Sequence, residues 1–286
     1  MTIATILAPI FGTKDDTASL ATAFSAAKPF QAHVQVLFAR PDPQQAVAVV
    51  GMPLSGETVR ALVEAQDRVI SKAIKQARLT LATEAEKAQI RIIAEPTHSS
   101  GITASYHEVT GRLAHCLEKA LRFSDIVVFP HSAQTEPDLH DGLVDVLTRG
   151  ERPVLLSPAA SPVAVGSNIA VGWDGSMTAA HALTAALPFL RNAREVSLVA
   201  VSRKANDESE EEAKRFLALH GIDAAVRSVE PNTRSIAEVL LETAVSCGCD
   251  LLVIGGYGHS HLRESIFGGV TKYVLSHATV PVFLAH

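Results

Sequence analysis

The stretch with the clearest chemical content is Gly255-Gly256-Tyr257-Gly258-His259-Ser260-His261-Leu262-Arg263-Glu264-Ser265-Ile266-Phe267-Gly268-Gly269-Val270-Thr271. It follows an apolar run, Leu251-Leu252-Val253-Ile254, that reads as a buried strand. It leads into Val270, Tyr273, Val274 and His277, whose spacing fits one side of a helix. Glycines in such a loop let the backbone approach a phosphate closely. The N–H groups at the start of the next helix then favour negative charge, and Gly268 and Gly269 fall at that start. In an open α/β sheet, ligands bind at the carboxyl ends of the strands. The chemistry expected here is phosphate binding.

Other chemistries fare worse. No G-x-x-x-x-G-K-[ST] occurs, and no G-x-G-x-x-G follows a first strand. The chain has 12 histidines, but His259-Ser260-His261 and Cys247-Gly248-Cys249 lack the ligand spacing of a zinc site. No metal site is expected, and His98, His131 and His140 read as loop residues. No G-x-S-x-G elbow supplies a hydrolytic serine.

These residues need a scaffold, and the sequence describes it twice. One copy opens with the apolar run from Ala4 to Pro9, the other with Ile169-Ala170-Val171-Gly172-Trp173-Asp174. An alanine-rich helix follows each, with Leu183, Ala186, Leu187 and Leu190 on one face in the second copy. The second strands are His33-Val34-Gln35-Val36-Leu37-Phe38 and Glu195-Val196-Ser197-Leu198-Val199-Ala200-Val201. A long helix over 57–87 corresponds to a short one over 209–220. Third strands ending in Glu95-Pro96 and Glu230-Pro231 are expected next. Capping boxes then start helices at Ser105-Tyr106-His107-Glu108 and Ser235-Ile236-Ala237-Glu238. Asp125 and Asp250 precede buried fourth strands, and Pro153-Val154 and Pro281-Val282 open the last ones.

Each unit is therefore β-α-β-α-β-α-β-α-β, which predicts an α/β fold. Two tandem open parallel five-stranded sheets, Rossmann-like with helices on both faces, are expected over residues 1–158 and 165–286. The Pro/Ser/Ala run 157–162 lies at their boundary.

The C-terminal half resembles the universal stress protein family, whose glycine loop is G-x2-G-x9-G-[ST]. Gly255, Gly258 and Gly268 match that spacing, and Val171-Gly172-Trp173-Asp174-Gly175-Ser176 looks like the family's first-strand signature. The N-terminal half resembles it only in the order of elements. The resemblance implies a universal stress protein that binds ATP or AMP and acts in regulation or the stress response. Asp174 would contact the nucleoside, and Val201 would line the adenine pocket. Gly255, Gly258, His259, Gly268 and Gly269 would surround ribose and phosphates, with Val270 behind them. Gly269 departs from the family's Ser or Thr, and Thr271 is placed to replace the lost hydroxyl in part. Asp174 could reach Mg²⁺ through phosphate oxygens. The S-G-G-x-D-S loop of the related ATP pyrophosphatases is missing, so a slow ATP hydrolase is only the alternative reading. A module that binds a partner or another small ligand is a further alternative. After Phe129, Pro130-His131-Ser132-Ala133-Gln134-Thr135-Glu136-Pro137-Asp138 has no G-x2-G and brings acidic groups, which repel phosphate. No nucleotide is expected in the N-terminal half.

Composition agrees with this reading. Hydrophobic residues are 47% and charged residues 19%, enough apolar content for a large core. Net charge is −5 and no basic run occurs, so no nucleic-acid partner is expected. Apolar runs are too short to span a bilayer, no secretory signal is legible, and three cysteines suit a reducing compartment. The expected location is the cytoplasm. In the family the last strand pairs two units across a two-fold axis. Here the strands at 280–285 and 152–157 can pair within one chain, and whole chains can still form a homodimer.

Overall fold

A computed structural model describes residues 2–41, 55–96, 101–162, 164–202, 208–256 and 269–286. Among these, eleven strands form one sheet in the order β3-β4-β2-β1-β5-β6-β11-β10-β7-β8-β9. The N-terminal half supplies β1 (Thr5–Ile10), β2 (His33–Arg40), β3 (Arg91–Ile92), β4 (Thr103–Thr110), β5 (Ile126–Phe129) and β6 (Val154–Leu156). The C-terminal half supplies β7 (Asn168–Trp173), β8 (Glu195–Val201), β9 (Ala224–Val229), β10 (Leu251–Gly255) and β11 (Val282–Ala285). All pairings are parallel except β6 with β11, which run antiparallel with Phe283 opposite Leu155.

The α/β class holds, with the sheets of the two halves merged into one. The central strands are buried on both faces: Ile6, Leu7, Ala8 and Ile10 are fully covered in β1, as are Leu251, Leu252 and Val253 in β10. Such runs need helices on both sides. One face carries α1 (Asp16–Ala27), α2 (Gly56–Ala88), α5 (Met177–Ala185), α6 (Leu187–Asn192) and α7 (Glu208–Leu219). The other carries α3 (Leu113–Leu121), α4 (Pro137–Thr148), α8 (Ile236–Ser246) and α9 (Gly269–His277). No helix among the described residues is long and apolar enough to cross a membrane.

Three expectations are corrected. Ser105-Tyr106-His107-Glu108 does not cap a helix; it lies inside β4, paired with Gln35 to Phe38 of β2. Thr103 and Ser105 are buried on that strand and hydrogen-bond the two nitrogens of His33, at 2.8 and 2.9 Å. A cap needs its hydroxyl directed at backbone N–H groups one turn on; here cross-strand pairing claims it. The third strand therefore does not end at Glu95-Pro96. It is β4, and Arg91–Ile92 is a short extra edge strand beside it. The second capping box is real: Ser235 accepts from the Glu238 N–H while the Glu238 carboxylate accepts from the Ser235 N–H. The helix expected through Leu183 and Leu190 is split, because Pro188 at the start of α6 lacks the N–H that would continue it.

The acidic residues before β5 and β10 do matching work. Asp125 accepts from the N–H groups of Ala4 and Thr5, and Asp250 from those of Gly166, Ser167 and Asn168. Each carboxylate pins the entry of its half's first strand to the fourth.

Candidate functional site

In the C-terminal half the chain runs from β7 outward through β8 to β9, then crosses back to β10 and β11 on the other side of β7. The strand order thus reverses between β7 and β10. At such a point the adjoining connections leave in opposite directions and open a crevice at the carboxyl ends of the strands.

The crevice is built from small residues and turns. At the end of β7, Asp174 Oδ1 accepts the Ser176 N–H at 3.0 Å, and Gly175 takes the left-handed conformation (φ +75°) that the turn needs. Ser176 Oγ then caps α5 by accepting from the Ala179 N–H at 3.1 Å, and lies 3.0 Å from Thr178 Oγ1. Gly255 ends β10 directly against this helix start. A Cβ on Gly255 would lie 2.7 Å from the Thr178 carbonyl carbon and 2.9 Å from the Ala179 nitrogen. A Cβ on Gly172 would lie 3.0 Å from Ile254 Cγ2. The indole N–H of Trp173 donates to Ser209 Oγ at 3.3 Å, tying the end of β7 to α7.

These elements enclose a cleft of about 260 Å³. Its apolar side is made by Val199 and Val201 of β8, Ile236 and Leu240 of α8, and Ile254 of β10. Its polar side comprises Asp174, Ser176, Thr178 and Thr271, with Gly269 and Val270 opening α9. Asp174 is the one charged side chain among the described lining residues, and it is exposed. The start of a helix leaves N–H groups unpaired within the helix, and the starts of α5 and α9 both border this cleft.

The structure brings together Asp174, Val201, Gly255, Gly269, Val270 and Thr271. Gly258, His259 and Gly268 lie outside the described residues. Thr271 is buried, and its hydroxyl is 3.5 Å from the Gly255 carbonyl oxygen. Sequence reasoning missed Ile236 and Leu240. Their signal was present: the Ser235 capping box fixes the start of α8, and i, i+4 spacing puts both on one face.

The N-terminal half is arranged differently at the matching place. Pro130 leads into a short 3₁₀ turn, His131–Gln134, whose Ala133 is buried in the core with Leu7, Leu37 and Leu143. At the end of β1, the fully buried Asp16 accepts from the N–H groups of Phe11, Gly12 and Thr13 at 3.0, 2.7 and 3.2 Å. Burial nevertheless pushes its pKa up to about 6. Here the backbone donors at the strand end are satisfied by the protein's own carboxylate. Among the described residues, no group of three or more His, Cys, Asp or Glu is placed to hold a metal ion.

Residues 167–286 match the model of the universal stress protein family. No curated protein sequence matches the chain. Among solved structures, a universal stress protein from Archaeoglobus fulgidus DSM 4304 is 16% identical, with 98% of this chain and 97% of that chain covered at a TM-score of 0.69. A functionally unknown protein from Pseudomonas aeruginosa PAO1 is 16% identical, with 99% and 92% covered at a TM-score of 0.55. A universal stress protein solved in complex with cAMP is 20% identical over 42% of this chain and 97% of that one, with a TM-score of 0.34. The fold is thus shared along nearly the whole chain with the first two.

Proposed function

We propose that the C-terminal half of this chain, a domain of the universal stress protein family, binds an adenine nucleotide and serves as a regulatory stress-response module. The observation that carries this reading is the cleft between β7 and β10. It combines an apolar side with two helix starts, at the place where open α/β sheets bind ligands. The base would rest on Val199, Val201 and Leu240. Phosphates would lie toward the start of α9, where backbone N–H groups and the helix dipole meet negative charge. The volume, about 260 Å³, lies just below the roughly 300–1,000 Å³ usual for small-molecule sites. That suits a nucleoside held inside with its phosphates directed outward.

Asp174 uses Oδ1 to hold the Ser176 N–H. Its other oxygen is the carboxylate group on hand for a Mg²⁺ ion brought with ATP, the phosphates supplying further ligands. Asp174 is the one carboxylate among the described lining residues, and one carboxylate suits binding better than hydrolysis, which needs a positioned water as well. The N-terminal half, with Asp16 and Ala133 in the matching place, acts as a partner domain without nucleotide. The cysteines are free thiols, in keeping with a cytoplasmic setting.

Calorimetric titration with ATP, AMP and cyclic AMP, with and without Mg²⁺, tests the reading. One nucleotide per chain is expected, and Val201→Glu should abolish binding while leaving the fold intact, because Val201 is only half-buried. Absence of binding by all three nucleotides, or unchanged affinity in Val201→Glu, would overturn it.

A further inference from the structure

A second and larger cleft, about 510 Å³, lies in the N-terminal half between α3 and α4. The two helices run in the same direction: Gly142 faces Leu113 and Leu117, and Gly150 faces Leu121. The floor is apolar, formed by buried Leu117, Leu121 and Val146. Gly142 lines the cleft and lets α4 lie close against α3. A Cβ there would already lie 3.3 Å from Leu113 and from Leu117.

The rim is charged and uneven. Arg149 is held by Asp145 at 3.4 Å, and His115 Nδ1 lies 4.0 Å from Glu118. Arg122 and Arg152 also line the cleft, and among the described residues neither makes an ion pair or a side-chain hydrogen bond. Arg122 follows the last residue of α3, where a cation suits the helix dipole. Arg152 lies beyond the end of α4 and has no such role.

The C-terminal half does not repeat the cleft's Gly142, Arg149 and Arg152. Aligning the two Pro-Val pairs, Pro153 with Pro281, sets Gly142 against Val270, Arg149 against His277 and Arg152 against Val280. The C-terminal half therefore carries a valine at the positions of Gly142 and Arg152.

We propose that this cleft binds a small amphipathic anion, with its apolar body on Leu117, Leu121 and Val146 and one carboxylate or phosphate headgroup on Arg122 and Arg152. The guanidinium fork matches either headgroup in a bidentate manner. The acidic pair members Glu118 and Asp145 disfavour ligands of high negative charge, which argues for a single anionic group.

Octyl phosphate and octanoate are the two probes, with octanol and inorganic phosphate as controls, titrated calorimetrically into the full chain. Saturable binding at one per chain is expected for at least one anion, about tenfold tighter than for either control. The anion that binds more tightly identifies the headgroup. Arg122→Gln/Arg152→Gln should weaken that binding about tenfold with its thermal midpoint kept, whereas a purely capping role would lower the midpoint and leave binding alone. Val201→Glu should leave binding unchanged, which separates this cleft from the one at β7 and β10. The proposal fails if neither anion saturates, if the double arginine variant binds as tightly as the parent, or if Val201→Glu removes binding.

Discussion

The hydroxyl of Thr271 lies 3.5 Å from the carbonyl oxygen of Gly255, joining the two ends of the chain between β10 and α9. It is a long contact on a buried side chain, so its stabilisation belongs at the low end of the ~0.5–1.5 kcal/mol typical of a neutral hydrogen bond. Thr271→Val should cost no more than about 1 kcal/mol in urea unfolding. In ATP titrations it should cost a few-fold in affinity at most, since the hydroxyl is directed at Gly255 and not outward.

Gly269 offers the complementary change. Among the described residues nothing lies within 4 Å of a Cβ built there. Gly269→Ser places a hydroxyl at the start of α9 on the edge of the cleft. The expected gain in ATP affinity is roughly two- to tenfold, the worth of one hydrogen bond. Equal ATP affinity in the variant would mean that the phosphates do not reach this helix start.

Gly255 responds in the opposite sense. Its missing Cβ is where the backbone of Thr178 and Ala179 sits, and a helix start cannot rotate aside as a side chain can. Gly255→Ala should destabilise the protein by about 1–3 kcal/mol through overpacking, and shift α5 and Ser176 away from the cleft. A stability within ~0.5 kcal/mol of the parent would show that α5 is held less firmly than this packing implies. The role of Gly255 is thus at least partly structural, which its place in a glycine loop does not reveal.

How far the sequence could be read depends on how local each signal was. The strands before and after the cleft were legible because Leu251–Gly255 and Glu195–Val201 are apolar runs of the right length. Ser235 and Ser105 show the limit. Both stand three residues before a Glu, yet only Ser235 caps a helix. Ser105 lies in a strand because β4 pairs along its length with β2, far away in sequence, and the ring of His33 there takes the hydroxyls of both Thr103 and Ser105. The arginine-lined cleft was missed because it arises where two helices pack side by side on one face of the sheet, not from a motif.

Asp16 predicts a pH dependence with a definite sign. Its pKa is raised from 3.8 to about 6 by burial, so the folded protein keeps this proton at pH values where the unfolded chain has lost it. Its contribution to stability is complete below about pH 4 and is lost as pH rises through about 6. The loss is at most about 3 kcal/mol. Urea unfolding from pH 4.5 to 6.5 should show the parent losing stability relative to Asp16→Asn as pH increases. A difference that stays flat, or grows with pH, would mean that the three N–H donors outweigh burial and keep the carboxylate ionised throughout.

Phe189 decides whether the halves stand or fall together. Its ring meets Phe30 of the N-terminal half edge-on at 5.0 Å and Phe283 of β11 at 5.9 Å. One buried cluster runs through all of this, from Phe24 and Val34 to Leu183 and Phe283. With β6 and β11 also paired, separating the halves would expose an apolar strand edge and part of this cluster. Phe189→Ala removes a fully buried ring and should cost about 3–5 kcal/mol. Because the ring packs against both halves, far-ultraviolet circular dichroism and Trp173 fluorescence should move to lower urea in step. The single tryptophan lies in the C-terminal half, so its signal reports that half alone. If fluorescence shifts while a large part of the dichroism transition stays at the parent midpoint, the N-terminal half folds by itself and the shared cluster does not couple them.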